Sequence, residues 1–190
     1  MSDSPHGKFS EMISAPTAEE VYKKVRQWTS DLSEKEHLVR SVVLTIHANL
    51  EDRLKNVLYS YLSSLICNSG DQAQYGQRQQ KLAKTIRSMS FIRVYELLKP
   101  ALDSFGSPEF TSISEINDLR NDAAHAKDKD LLSRGRRLYI EHEALAELFV
   151  TTWAIGQELS HFVEKRIDDP REFQRIGRNV YLGKKNPLEK

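Results

Sequence analysis

A single cysteine, Cys67, excludes an intramolecular disulfide and any multi-cysteine metal site. It reads as a small apolar residue near a helix end. An excess of charge is also missing, because 28 Lys and Arg stand against 27 Asp and Glu, for a net charge of +1. That balance excludes a generic electrostatic binder of nucleic acid, which would be far more basic, but it leaves room for a local basic groove. No apolar run approaches the length needed to span a bilayer, and the opening ten residues lack the apolar core of a signal peptide. Together with the lone thiol, this points to a reducing, cytoplasmic setting. Glycine-rich phosphate loops, nucleophile elbows and cysteine–histidine pairs are absent. Internal repeats and low-complexity tracts are absent too.

Helical periodicity is what the chain has in quantity. Thr17 with Glu20, Ser33 with Glu36 and Ser112 with Glu115 each form a capping-box pattern, in which a hydroxyl and a carboxylate satisfy the first free amides of a helix. The first opens a short helix through Val21, Val25 and Trp28. The second opens the longest helix, whose apolar positions from Val39 to Leu65 keep three-to-four spacing until Asn68-Ser69-Gly70-Asp71 ends it. A further helical stretch covers about Gln77 to Leu98, with a break at Ser88-Met89-Ser90, and Pro100 limits it. The third capping box opens a helix after a loop containing Gly106 and Pro108. The last helix spans about Glu141 to Arg166, with Leu145, Leu148, Phe149, Thr152, Leu159 and Phe162 on its buried stripe. Arg137 to Ile140 is the best strand candidate, and it is short. The expected fold is all-α, a bundle of four or five helices. Residues 1–16 form a loose tail, 17–167 the helical domain and 168–190 a basic C-terminal arm. At 190 residues with 39% hydrophobic content, the chain suits one domain with one core.

The helix opened by Ser112 contains Leu119-Arg120-Asn121-Asp122-Ala123-Ala124-His125. At about 100° per residue, Asn121 and His125 share a face, while Arg120 and His125 project about 140° apart. The pattern R-N-x-x-x-H, preceded by Ile116 and Leu119, resembles the signature of the HEPN superfamily, small all-helical domains of which many are metal-independent ribonucleases. Three such residues match by chance in roughly one chain of this size per hundred at ordinary frequencies, so the motif carries weight without settling function.

The resemblance implies a homodimer in which two such helices meet about a two-fold axis and share a composite site. An imidazole can take a proton from a ribose 2′-hydroxyl or give one to a leaving oxygen. A guanidinium binds phosphate through paired donors and stabilises charge on the transferring phosphoryl group. The catalytic candidates are therefore His125 as acid or base, Arg120 on the phosphate and Asn121 as the orienting amide. An acidic residue on the first long helix often faces the motif in this family. Here that place falls to Glu51 or Asp52, and Glu51, which shares a face with His47, is the choice. RNA is the implied substrate, and a toxin–antitoxin or antiviral role the implied setting, with an antitoxin or regulatory protein as partner. In members paired with a nucleotidyltransferase antitoxin, a tyrosine follows the histidine by two positions. Lys127 stands there instead, which argues against nucleotide transfer onto that position.

Three basic stretches could contact RNA. The connector with Lys127, Lys129, Arg134, Arg136 and Arg137 lies beside His125 and is the first candidate. Residues 73–94 contain Arg78, Lys81, Lys84, Arg87 and Arg93 and no acid, a face suited either to solvent or to a phosphate backbone. The arm from Pro170 to Lys185 interleaves Phe173 and Tyr181 with cations, which suits unpaired bases or packing on the protein itself. His47 and Glu51, at i and i+4, have the spacing of two metal ligands, but no further histidine or cysteine supports a site, and neither a metal nor a cofactor is expected. The alternative to an enzyme is a noncatalytic helical dimer that binds a protein partner or regulates transcription, similar to mannitol-operon-repressor-like proteins. In that reading Arg120 pairs with a neighbouring helix, and His125 serves only the helix end.

Overall fold

Apolar residues repeated every three to four positions produce helices, and the computed structural model of the protein is all-α. It describes residues 16–29, 36–67, 72–125, 130–138 and 141–167. Among them run six α-helices: α1 (Ala18–Thr29), α2 (Glu36–Cys67), α3 (Gln72–Ser88), α4 (Phe91–Phe105), α5 (Ser112–His125) and α6 (His142–Phe162). A 3₁₀ turn, Pro108–Thr111, leads into α5, and a π-helical turn, Val163–Ile167, ends α6. The expected N-terminal tail, the basic C-terminal arm, Ser33, the Asn68–Asp71 stop, Lys127 and Lys129 lie outside the described residues, as does the side chain of Cys67. No helix among the described residues is long and apolar enough to cross a membrane.

The helix count exceeds four or five because the break at Ser88-Met89-Ser90 is complete. The Ser88 hydroxyl donates to the Thr85 carbonyl at 2.7 Å, and the Met89 amide turns back to the Ile86 carbonyl at 3.1 Å. Short polar side chains that bond to nearby backbone compete with helix continuation in this way. The Ser90 carbonyl then accepts the Val94 amide at 3.1 Å and starts α4. Pro100 does not end α4, contrary to the sequence expectation; it lies inside the helix. Leu98 and Leu102, both buried, bracket it. Burying each contributes about 1.5–3 kcal/mol, enough to offset the roughly 3 kcal/mol that an interior proline costs. The helix ends instead at Gly106, whose φ of 81° is the left-handed conformation that glycine adopts freely after a C-terminus.

The chain forms two compact units. Of the described residues, those within 16–52 and 106–158 form the first, and those within 53–105 and 159–167 the second. In the first, Val21 and Val25 of α1, Val39, Val42, Val43, Ile46 and Leu50 of α2, Ile113, Ile116 and Leu119 of α5, and Leu145 and Phe149 of α6 are buried. Trp28 meets Phe149 edge-on, with ring centroids 5.8 Å apart. Thr17 caps α1, its hydroxyl accepting the Glu20 amide at 3.2 Å, as the capping pattern predicts. In the second unit, Leu54 and Leu58 of α2, Val94 and Leu98 of α4, and Leu159 and Phe162 of α6 are buried. Phe105 contacts Phe162 edge-on at 5.6 Å.

Of the strand expected from Arg137 to Ile140, Arg137 ends a strand and residues 139–140 lie outside the described residues. A two-stranded hairpin pairs β1 (Leu132–Ser133) with β2 (Arg136–Arg137), Leu132 facing Arg137. Arg134 and Gly135 form its turn with φ of 48° and 77°, the pattern of positive φ at both central residues that suits tight hairpins. Glu115 holds this turn and does not complete a capping box. Its Oε1 accepts the Ser133 hydroxyl and the Arg134 amide, both at 3.2 Å. Ser112 is already helical, because the 3₁₀ turn has extended the helix N-terminally. Replacing Glu115 with Ala is expected to destabilise the protein by about 1.5–3 kcal/mol, the range for hydrogen bonds to a charged group. Faster amide exchange at Arg134 would localise the loss to the hairpin, and unchanged exchange there would contradict this role.

Candidate functional site

The first unit positions the signature through two helix faces. On α2, Arg40, His47 and Glu51 fall within about 20° of one line along the helix. On α5, Asn117, Arg120, Asn121 and Ala124 share one stripe, next to the buried positions Ile116, Leu119 and Ala123, and Asn117 and Arg120 of that stripe act on His47. The Arg40 guanidinium donates from Nη1 to the carbonyls of Asp122 at 3.2 Å and Ala123 at 3.4 Å. These belong to the last turn of α5, where carbonyls lack helical partners and carry the negative end of the helix dipole. A cation from α2 thus anchors the end of the helix that carries His125.

His47 is buried, with Nδ1 3.9 Å from Oε2 of half-buried Glu51. Burial lowers the pKa of its ring below the ordinary 6.5; Glu51 and the Asn117 side chain favour the charged form, while Arg120 opposes it. The imidazole is therefore neutral near pH 7 and puts no second cation against Arg120. The unfolded chain takes up the His47 proton more readily than the native protein, so stability is fully present above about pH 6.5 and declines as pH falls through the depressed native value. Urea unfolding at about pH 7.5 and 5.5 should show His47→Gln losing less stability on acidification than the parent. Equal losses would contradict the assignment.

Arg120 is half-buried, and its Nη1 donates to Oδ1 of the adjacent Asn121 at 3.1 Å. Asn121 and His125 are both exposed. The structure thus brings Glu51, Arg120 and Asn121 into one neighbourhood through His47, and it leaves the His125 imidazole open at the end of α5. Within one copy the guanidinium is turned toward Asn121 and the face of α2, in keeping with the wide angular separation of Arg120 and His125 on the helix.

The basic connector differs from the picture of an open cationic strip. Arg134 Nε lies 3.8 Å from Glu115, Arg137 Nε lies 2.9 Å from Asp130, and Arg136 pairs with Glu147. The Glu147 hydrogen bond raises the pKa of Arg136 further. Each of the described cations therefore meets a carboxylate, and the three serve the hairpin as well as any ligand. Arg40 and Asn117 were missed by sequence reasoning. Arg40 precedes His47 by seven residues, two turns of one face, which is a visible signal once the facing helix is known. No group of three or more His, Cys, Asp or Glu placed to hold a metal occurs among the described residues.

Compared with known proteins, the chain matches no family model, and no similar protein emerges among curated sequences or solved structures.

Proposed function

We propose that the protein is a metal-independent endoribonuclease of the HEPN type, active as a homodimer. The observation that carries this reading is the exposure of His125, beside exposed Asn121, at the end of a helix anchored by Arg40. A sequestered histidine would have served only the fold. In this reading the imidazole removes the ribose 2′-hydroxyl proton, and the 2′-oxygen attacks the adjacent phosphorus. The P–O5′ bond breaks, and a protonated imidazole from the second copy returns a proton to the leaving oxygen. The products are a 2′,3′-cyclic phosphate and a free 5′-hydroxyl. Arg120 has several donors besides the one given to Asn121, and these meet the phosphate oxygens as charge builds. Glu51 acts on the site through His47, as a positioning residue.

A second copy would need apolar surface to cover, and Leu44, 38% exposed, with exposed Ala48 one turn on along α2, offers some. The toxin–antitoxin or antiviral setting follows from the family resemblance alone. The test is incubation of purified protein with mixed RNAs in chelator. Fragmentation of RNA with matched DNA left intact is expected, because DNA lacks the attacking hydroxyl. RNA left intact with and without added metal would favour the noncatalytic, partner-binding alternative. Toxicity on expression, relieved by His125→Ala, is the corresponding result in cells.

A further inference from the structure

From residue 53 to residue 95 the chain has seven Lys and Arg and a single acid, Asp71. A protein of net charge +1 therefore concentrates positive charge in the second half of α2 and in α3. Four of these cations, Arg78, Lys81, Lys84 and Arg87, belong to α3, each three residues from the next. Residues at that spacing form one ridge inclined about 45° across a helix, with a rise of about 4.5 Å per step. Lys81, Lys84 and Arg87 are exposed, and among the described residues none of the three meets a carboxylate. Other helices interleave the two signs. On α4, Arg93 lies 3.5 Å from Glu96 and Lys99 lies 2.7 Å from Asp103, while α1 sets Glu19 and Glu20 before its cations. Opposite charges one turn apart relieve the repulsion of a solvated face, and α3 has no acid with which to do so.

The ridge points away from the rest of the helical hairpin. Ile86 is buried, and Lys84 and Lys81 project about 160° and 140° from it around the helix. The acids of α2 nearest in sequence, Glu51 and Asp52, lie beyond the Arg87 end, because α2 and α3 run antiparallel. Lys55 donates to the Arg87 carbonyl at 3.1 Å, and Tyr59 bonds to Gln79. Asp52 precedes Tyr59 by seven residues, about 10 Å along α2, which exceeds a Debye length of roughly 8 Å at physiological salt. Glu51 is engaged with His47 at 3.9 Å.

We propose that this ridge of α3 binds the phosphate backbone of a nucleic-acid strand, without regard to base sequence. Ammonium heads on flexible stems adapt to successive phosphates, Arg87 adds a planar fork, and exposed Gln77 and Gln80 flank the row with neutral donors. The centre of a protein interface needs apolar or aromatic anchors, and a helix lying on a membrane buries an apolar face. From Gln77 to Ser88 every exposed side chain is polar, and the apolar Ile86 is already buried. What the surface offers a partner is charge alone, which matches a polyanion. This assignment is independent of the cleavage reading, because it concerns binding and a different set of residues.

The test uses the full chain with a fluorescent DNA strand and a 2′-O-methyl RNA of the same sequence, neither of which has the attacking hydroxyl. Three neutralised phosphates should make log affinity fall with log salt at a slope of about −2 for both strands. Lys81→Gln/Lys84→Gln should weaken binding roughly tenfold at low salt and shallow that slope by about 1.4. Both positions are exposed and glutamine is a good helix former, so circular dichroism should stay parental. Lys23→Gln/Lys24→Gln removes the same charge from exposed α1 and should leave binding within about twofold, because only cations that neutralise phosphates count. His125→Ala should bind both strands as the parent does, which separates failure here from failure of the cleavage reading. Poly-glutamate and phosphatidylserine vesicles serve as competitors, and neither should displace the strand at matched charge. Displacement by either one, equal losses in the two double variants, loss of binding in His125→Ala, or no binding of either strand overturns the proposal.

Discussion

His125→Ala is expected to lower the rate of RNA cleavage by about 10²–10⁴-fold, the usual contribution of a general acid or base. The folded state should be unaffected, because the side chain is exposed and Arg40 anchors the end of α5 through backbone carbonyls that the substitution leaves in place. Measured on single-turnover cleavage of a short RNA, the loss should fall on the chemical step, with affinity for uncleaved RNA retained. A loss of affinity with no change in that step would reassign His125 from chemistry to binding. In a composite dimer, mixing His125→Ala with wild-type subunits should reduce activity further than dilution alone, because a mixed dimer has a single imidazole for two proton transfers.

The largest effect on stability is expected from Phe149→Ala. Phe149 is fully buried in the first unit and meets Trp28 edge-on at 5.8 Å, with ring planes 89° apart. Truncation removes the transfer free energy of the ring and leaves a cavity that flanking helices fill only in part, a loss of about 3–5 kcal/mol. Aromatic pairs at this spacing contribute about 0.5–1.5 kcal/mol beyond buried area, so Trp28→Leu should cost less than Phe149→Ala. Urea midpoints for the two variants check the order. A Phe149→Ala loss below about 1 kcal/mol would mean that this ring is not central to the first unit's core.

Much of the helical frame was legible in the chain because burial imposes a period that residue types reveal directly. Val21 and Val25, the α2 positions Val39, Val42, Val43, Ile46, Leu50, Leu54 and Val57, and Leu145, Leu148, Phe149, Thr152, Leu159 and Phe162 are buried as their spacing predicts, while Tyr61 is half-buried. The Thr17 cap was legible for the same reason: its partners lie within one turn. What stayed hidden depends on groups distant in sequence. Ser112 and Glu115 have the spacing of a cap, but Glu115 turns to the hairpin more than fifteen residues away. Nothing in the local pattern distinguishes those two uses of a carboxylate. Pro100 looked like a stop because its local cost is fixed, whereas the burial of Leu98 and Leu102 that offsets it is tertiary.

The same division applies to the site. Arg120, Asn121 and His125 stood out as a motif, and the relation of His47 to Glu51 followed from helical spacing. That the face of α2 bearing Arg40 and His47 meets α5 could not be read from periodicity, since either helix has more than one polar side. The acid partners of Arg134, Arg136 and Arg137 were similarly invisible. A run of cations looks alike in a sequence whether its charges are open to a ligand or committed to neighbouring carboxylates.

End-group analysis of RNA fragments produced by the purified protein in chelator distinguishes attack by the 2′-hydroxyl from attack by water. Attack by the 2′-hydroxyl under His125 leaves fragments ending in 2′,3′-cyclic phosphate and beginning with 5′-hydroxyl, lost together in His125→Ala. Fragments with 5′-phosphate and 3′-hydroxyl ends, or cyclic phosphate ends formed equally well by the His125→Ala protein, would contradict that chemistry.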